Sequence, residues 1–187
     1  MKQIRALFLF FTIFTCSQSF AGFGVNVGAG FPYVTSGGIN YMISDQWSAE
    51  LSYNMLSLDV DLASVTMTKP EVAIKWHPFS GSFFVGLGVG QLSLEATGKD
   101  ATTSLTATVS ITATTLTTSM GWLWGISDGG FFGGLDFGYQ NPMSPETTIT
   151  SDLPTTDEAY KDAVEQGDKL GEAGMPLFTF VRIGYLF

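Results

Sequence analysis

Four charged side chains stand inside stretches otherwise made of apolar and small residues: Glu50, Lys75, Asp136 and Arg182. Two acids and two bases on one parity of alternating segments are expected to form ion pairs on neighbouring strands, Glu50 with Lys75 and Asp136 with Arg182. Merger into one cluster is open to them, and buried charges persist only when paired. The chemistry open to them is a packed charge network, or pairs that exchange partners to open a narrow path. Nucleophilic and metal chemistry has less to stand on. His77 is the single histidine and Cys16 the single cysteine. The run His77-Pro78-Phe79-Ser80 does not set a base and a nucleophile on one strand face, so a solvated turn histidine is expected. One histidine and one cysteine make no transition-metal ligand set. Gly86-Leu87-Gly88-Val89-Gly90 lacks the GxGxxG spacing and the following helix of a dinucleotide loop. Glycines at alternate positions instead make room on one face for Phe132, Phe180 or loop residues. Neither cofactor nor metal is expected.

The elements that position the four charges are short segments of period-two alternation, the pattern of strands with two unlike faces. Phe23, Val25, Val27, Ala29 and Phe31 alternate with Gly24, Asn26, Gly28 and Gly30. Ile39, Tyr41 and Ile43 precede the turn Ser44-Asp45-Gln46. Trp47, Ala49, Leu51, Tyr53 and Met55 stand opposite Ser48, Glu50, Ser52 and Asn54. Val72, Ile74 and Trp76 oppose Glu71, Ala73, Lys75 and His77, and Pro78 to Gly81 reads as a turn. A fifth segment starts at Phe83. A sixth, rich in Thr and Ala, changes parity between Ile111 and Leu116, which places a β-bulge near Ala113 to Thr115. Ser127 to Gly130 is a turn, Phe131 to Tyr139 the seventh strand and Phe178 to Phe187 the eighth. The expected fold is therefore all-β: an eight-stranded antiparallel up-and-down transmembrane β-barrel. Eight is the smallest even count such barrels use.

The chain starts with Met1-Lys2-Gln3-Ile4-Arg5, an apolar run from Ala6 to Phe14 and small residues at Ser19 and Ala21. Residues 1–21 read as a cleaved secretory signal peptide, with the barrel domain over 22–187. The apolar run is about half the ~20 residues a membrane helix needs. Lipidation at Cys16 is the alternative, with Thr15 departing from the small residue that normally precedes such a cysteine. Removing Lys2 and Arg5 with the leader takes the 8 basic residues to 6 against 17 acidic ones, a balance of −11. That excludes nucleic acid as a natural partner, since phosphate binding needs a basic patch.

Two patterns support a membrane setting. Trp47, Trp76, Trp122 and Trp124 all fall beside one of the three short turns, and Tyr185 and Phe187 end at the same level. Such rings favour membrane interfaces, where an apolar body meets a polar edge that wants water. All four in-strand charges avoid the apolar parity, where Arg or Lys near the midplane would cost roughly 2–4 kcal/mol.

Tyr41 to Tyr53, with its Ser44-Asp45-Gln46-Trp47 turn, resembles the first periplasmic hairpin of the small OmpA/OmpX/OmpW-type outer-membrane barrels. Phe83 to Gly90 resembles their fifth strand. The terminal strand, with Val181, Ile183, Tyr185 and Phe187 on one face, resembles their closing strand, whose last residues are read by the barrel insertion machinery. The resemblance implies a bacterial outer-membrane location, contact with outer-membrane lipid and lipopolysaccharide, and a monomer. It implies short periplasmic turns and longer outer loops at Leu58 to Lys69, Glu95 to Ser104 and Gln140 to Met175. In the last of these, Thr155-Thr156-Asp157-Glu158 fits a capping box and leaves room for a short helix. Expected function is envelope structure or surface interaction without catalysis. The alternative is a narrow pore or conduit for small or hydrophobic solutes. A lipid-A-modifying enzyme is the third reading, weakened because His77 falls at the periplasmic end.

Overall fold

The computed structural model describes residues 22–61, 63–99, 106–126, 129–151, 165, 169 and 171–187. Its strands are β1 (Phe23–Phe31), β2 (Thr35–Ser44), β3 (Trp47–Val60), β4 (Ala63–Trp76), β5 (Phe83–Lys99), β6 (Thr106–Trp124), β7 (Gly130–Ser151) and β8 (Met175–Leu186). Each pairs antiparallel with its chain neighbours. β8 returns to β1, from Gly24↔Leu186 to Phe31↔Phe178, so the sheet closes into a barrel with no open edge at that seam. Alternation does what the sequence asks of it. Val25, Leu51, Val72, Ile74, Leu87, Val89 and Ile183 point outward and are exposed, whereas Asn26, Asn40, Glu50, Lys75, Thr117, Asp136 and Arg182 point inward and are buried.

One end carries the turns after β2, β4 and β6; the opposite end carries the connections after β1, β3, β5 and β7. Among the described residues, the stretches expected as long loops are largely strand. β3 and β4 pair up to Val60↔Ala63, β5 and β6 up to Lys99↔Thr106, and β7 continues to Ser151. Thr, Ser and Val in these stretches suit a pleated backbone on either face. Beyond Gln140, β7 has outrun β8, which starts at Met175. Pro142 and Pro145 blunt that edge by withholding donors. The short helix expected after Thr155 falls almost wholly outside the described residues, as do the signal peptide and Cys16.

The expected bulge in the sixth strand is not there. β6 keeps one register with β5 from Phe83↔Trp122 to Lys99↔Thr106. Ile111 and Ala113 face inward, each 2% exposed. The irregularity lies on β7, where Ser144 and Pro145 together oppose Ala113 and Ser144 adopts φ 50°. Ile111 and Ala113 therefore face inward at the loop end, Leu116, Met120, Trp122 and Trp124 face outward, and Leu123 faces inward at the turn end, without any break in the strand. The reason is a change of surroundings along one straight strand, not a change of parity.

The interior has three layers. Met42, Phe84, Leu123, Ile126, Phe132 and Leu186 form an apolar floor at the turn end. Tyr33, Met67, Leu92 and Ala113 form an apolar layer towards the loop end, with Leu56, Leu94, Met175 and Leu177 packed against it. Charged and amide side chains fill the space between.

Candidate functional site

Glu50 is the hub of the middle layer. Lys75 Nζ donates to its Oε2 and Arg182 Nη1 to its Oε1. Asn26 Nδ2 donates to the same Oε1 at 3.4 Å. Arg182 Nη2 reaches Asp136 Oδ2 at 2.9 Å, and Thr179 donates to Asp136 Oδ1 at 2.9 Å. The two pairs read from the sequence, Glu50 with Lys75 and Asp136 with Arg182, are thus one chain of charges joined through Glu50.

A bulge in β8 adds Thr179 to that chain. Register with both neighbours slips at Phe180–Val181, and both of those side chains point outward. Thr179 and Arg182, three apart, consequently both face inward and grip the two oxygens of one carboxylate. Phe180, expected as lumen filler, is 64% exposed on the outer wall for the same reason. Phe132, by contrast, does fill the lumen, and its ring occupies the space a side chain at Gly184 would need.

A second cluster was not singled out in the sequence. Lys69, 1% exposed, donates to Glu71 at 2.7 Å and to Thr117 Oγ1 at 3.2 Å, and its ammonium sits 5.4 Å from the Tyr33 ring centre. Thr117 in turn bonds Glu71. Tyr33 donates to Gln140 Oε1 at 3.0 Å. The signal was legible: Lys69, Glu71 and Lys75 share one parity, but Pro70 and the expected loop up to Lys69 concealed it.

The alternate glycines of β5 make room for these side chains. Register sets Gly86 beside Lys75 and Gly90 beside Glu71. A Cβ at Gly88 would meet Glu71 Cδ at 2.9 Å, and one at Gly86 would meet Lys75 Cγ at 3.4 Å. What remains is a cavity of about 60 Å³ lined by Ser36, Ser52, Asn54, Ser119 and the charged groups. A water occupies roughly 10–15 Å³ by this measure, so the space fits a handful of waters and no large solute.

His77 is not solvated. It is 1% exposed, set into the floor 6.0 Å from Phe84, with Nδ1 3.2 Å from Gly81 O and Nε2 3.0 Å from Ser48 Oγ. Its ring turns inward because it continues the inward parity of Lys75 past the end of β4. Gly81 O can only accept, so Nδ1 carries the proton and Nε2 accepts from Ser48. Burial pushes the imidazole below its ordinary range, and the nearby Lys75 ammonium adds to that. Ser and His do meet here, against the sequence expectation, but the pair is sealed in an apolar floor and its third contact is a peptide carbonyl.

The outer wall at the turn end is aromatic. Trp47 stacks on Trp76 at 6.3 Å and Phe83 lies 5.5 Å from Trp122. Phe131 meets Tyr185 edge-on at 5.1 Å, and Tyr185 meets Phe187 at 5.1 Å. Trp124 is half exposed beside the β6–β7 turn. The six residues named from the sequence thus lie on one rim, and Phe23, Phe79, Phe83 and Phe131 extend it.

An eight-stranded closed barrel with a charge-paired interior is the class these features define. Among solved structures, the crystal structure of CarO2 from Acinetobacter baumannii is similar, with a TM-score of 0.51 and 9% identity. The match covers 91% of this chain and 100% of that one. No protein-family model matches the chain, and no curated protein does.

Proposed function

We propose that the chain is a bacterial outer-membrane barrel with a closed lumen, exported by residues 1–21, that serves envelope structure or surface interaction and carries no catalysis. The turn end is then periplasmic, and the β3–β7 wall stands out beyond the outer leaflet into the lipopolysaccharide. The observation that carries this reading is the filled interior: paired charges stacked between two apolar layers, as expected for a barrel just wide enough for its own side chains. An apolar outer wall with an aromatic rim supports the membrane setting. Val181, Ile183, Tyr185 and Phe187 supply the terminal pattern for recognition by the insertion machinery. The cavity favours a second reading, a narrow conduit whose Glu50, Asp136, Lys75 and Arg182 pairs exchange to let small solutes pass.

Membrane fractionation with a heat-modifiability gel tests the setting. The expected result is recovery with the outer membrane and a faster-migrating unboiled band. Recovery in the soluble periplasm without that band refutes it.

A further inference from the structure

The part of the wall that outruns β2 and β8 is turned inside out. In the closed barrel the outward row across β3 to β6 is Leu51, Val72, Val89 and Leu116, with the charges inside. Near the loop end one inward row reads Leu58, Val65, Ala96, Val109 and Ile149 across β3 to β7. The outward row next to it reads Asp59, Ser64, Thr97, Thr108 and Thr150. The registers of β3 with β4, β4 with β5 and β5 with β6 run unbroken between the two levels, so the parity is the same and the chemistry is reversed. The result is a five-stranded trough with a polar back and an apolar face. Above Lys69 that face carries no ionisable side chain among the described residues.

β2 pairs with β3 only up to Met55 and β8 with β7 only up to Gln140, so no strand of the sheet stands opposite the trough. On its β3 flank Leu58 and Val60 are 53% and 68% exposed. On the β6–β7 flank the chain touches it at Gly171, where an added Cβ would meet Pro145 at 3.0 Å and Ile111 at 3.2 Å. The open side looks over the end of β1 and the β1–β2 connection, where Phe31 and Val34 are exposed and continue the apolar outer wall. The row below Leu58 ends on Thr147, whose Oγ1 is shielded from solvent and has no hydrogen-bond partner among the described residues.

We propose that the β3–β5 flank of this trough captures an uncharged, linear apolar solute from the outer medium. Size argues against a protein partner. Residues 56–60 rise about 13 Å and five strands span about 19 Å, a face of about 250 Å². Each partner in a standard protein interface brings roughly 800 Å². Chemistry argues against an ion, because an apolar face offers a charge nothing in return for its lost water. The source follows from the driving force. A solute leaving water gains by covering apolar surface. A lipid tail leaving the bilayer gains nothing, since its surroundings are already apolar. The Phe31–Val34 sill then gives the captured solute an apolar path towards the membrane.

The test is methyl NMR of the barrel in nanodiscs of deuterated lipid, with 1-decanol as the probe. Its chain matches the apolar rows and its hydroxyl the unpartnered Thr147. Saturable cross-peaks from decanol to the methyls of Leu58, Val65 and Ala96 are expected. Val65→Asp sets a charge on the apolar face and should weaken that binding about tenfold or more. Ala96→Asp serves if the first variant does not assemble. Cross-peaks confined to the outward Leu51, Val72 and Val89 overturn the proposal, because decanol is then only dissolved in the bilayer. Trough methyls that touch only other residues of the chain overturn it as well, the protein being its own occupant. So do trough contacts with lipid in a matched sample of protonated lipid and deuterated decanol. The proposal rests on the outer-membrane reading. Absence of lipid contacts at Leu51, Val72 and Val89 overturns that reading and the proposal together, a failure of different appearance.

Discussion

Replacing Glu50 by alanine should be the most damaging single change in the lumen. Its carboxylate takes hydrogen bonds from Lys75, Arg182 and Asn26 and is 4% exposed. The middle layer balances three cations (Lys69, Lys75, Arg182) against three anions (Glu50, Glu71, Asp136). Glu50→Ala leaves Arg182 its bond to Asp136 but strips Lys75 of its carboxylate partner. Removing one partner of a buried pair costs about 3–5 kcal/mol, because the other charge stays buried. That is a large part of the roughly 5–15 kcal/mol typical of a folded protein. Adding Lys75→Met removes the stranded ammonium, so the double variant should regain about 2 kcal/mol over Glu50→Ala alone, within the range for coupled neighbours. Equilibrium urea unfolding in lipid vesicles, followed by the fluorescence of the four rim tryptophans, measures all three proteins. A Glu50→Ala protein within about 1 kcal/mol of wild type, or a double variant no more stable than the single, would refute the shared-carboxylate reasoning.

Other consequences follow from the same geometry. Gly88→Ala places a methyl 2.9 Å from Glu71 and should cost about 1–3 kcal/mol, whereas Gly98→Ala, with open space around it, should be neutral in the same unfolding assay. Thr179→Val removes the second donor on Asp136 and should cost about 1 kcal/mol, which thermal unfolding would register. Ser144→Gly should hold or raise stability, and Ser144→Val should lower it, since φ 50° suits glycine and penalises a β-branched side chain. Deleting Phe187 should slow barrel assembly in vivo with little change to the refolded barrel, read as unfolded precursor in pulse-chase gels.

Strand number, strand order, barrel closure and the inward parity of Glu50, Lys75, Asp136 and Arg182 were legible because period-two alternation is a local property. The joining of the two ion pairs was only partly legible. The contact of Thr179 with Asp136 was not legible, because it depends on the β8 bulge at Phe180–Val181, and nothing in Thr179 to Arg182 announces two outward side chains in succession. The β6 irregularity was misplaced for a related reason. Ile111 and Leu116 are both apolar, but one is buried beside Gly171 inside and the other stands on the opposite, outward parity. Hydrophobicity alone does not distinguish a loop-end interior from an outward-facing wall. His77 was read as solvated because the residue before a proline in a turn normally is. Its burial comes from the floor closing around it, a tertiary fact with no local signature.

The closed lumen is tested most directly by single-channel recording of the refolded wild-type barrel in planar bilayers at neutral pH. The stacked floor, paired charges and upper apolar layer predict a baseline without discrete steps. Regular ohmic steps at low voltage would contradict it and would make the conduit the working account of this barrel.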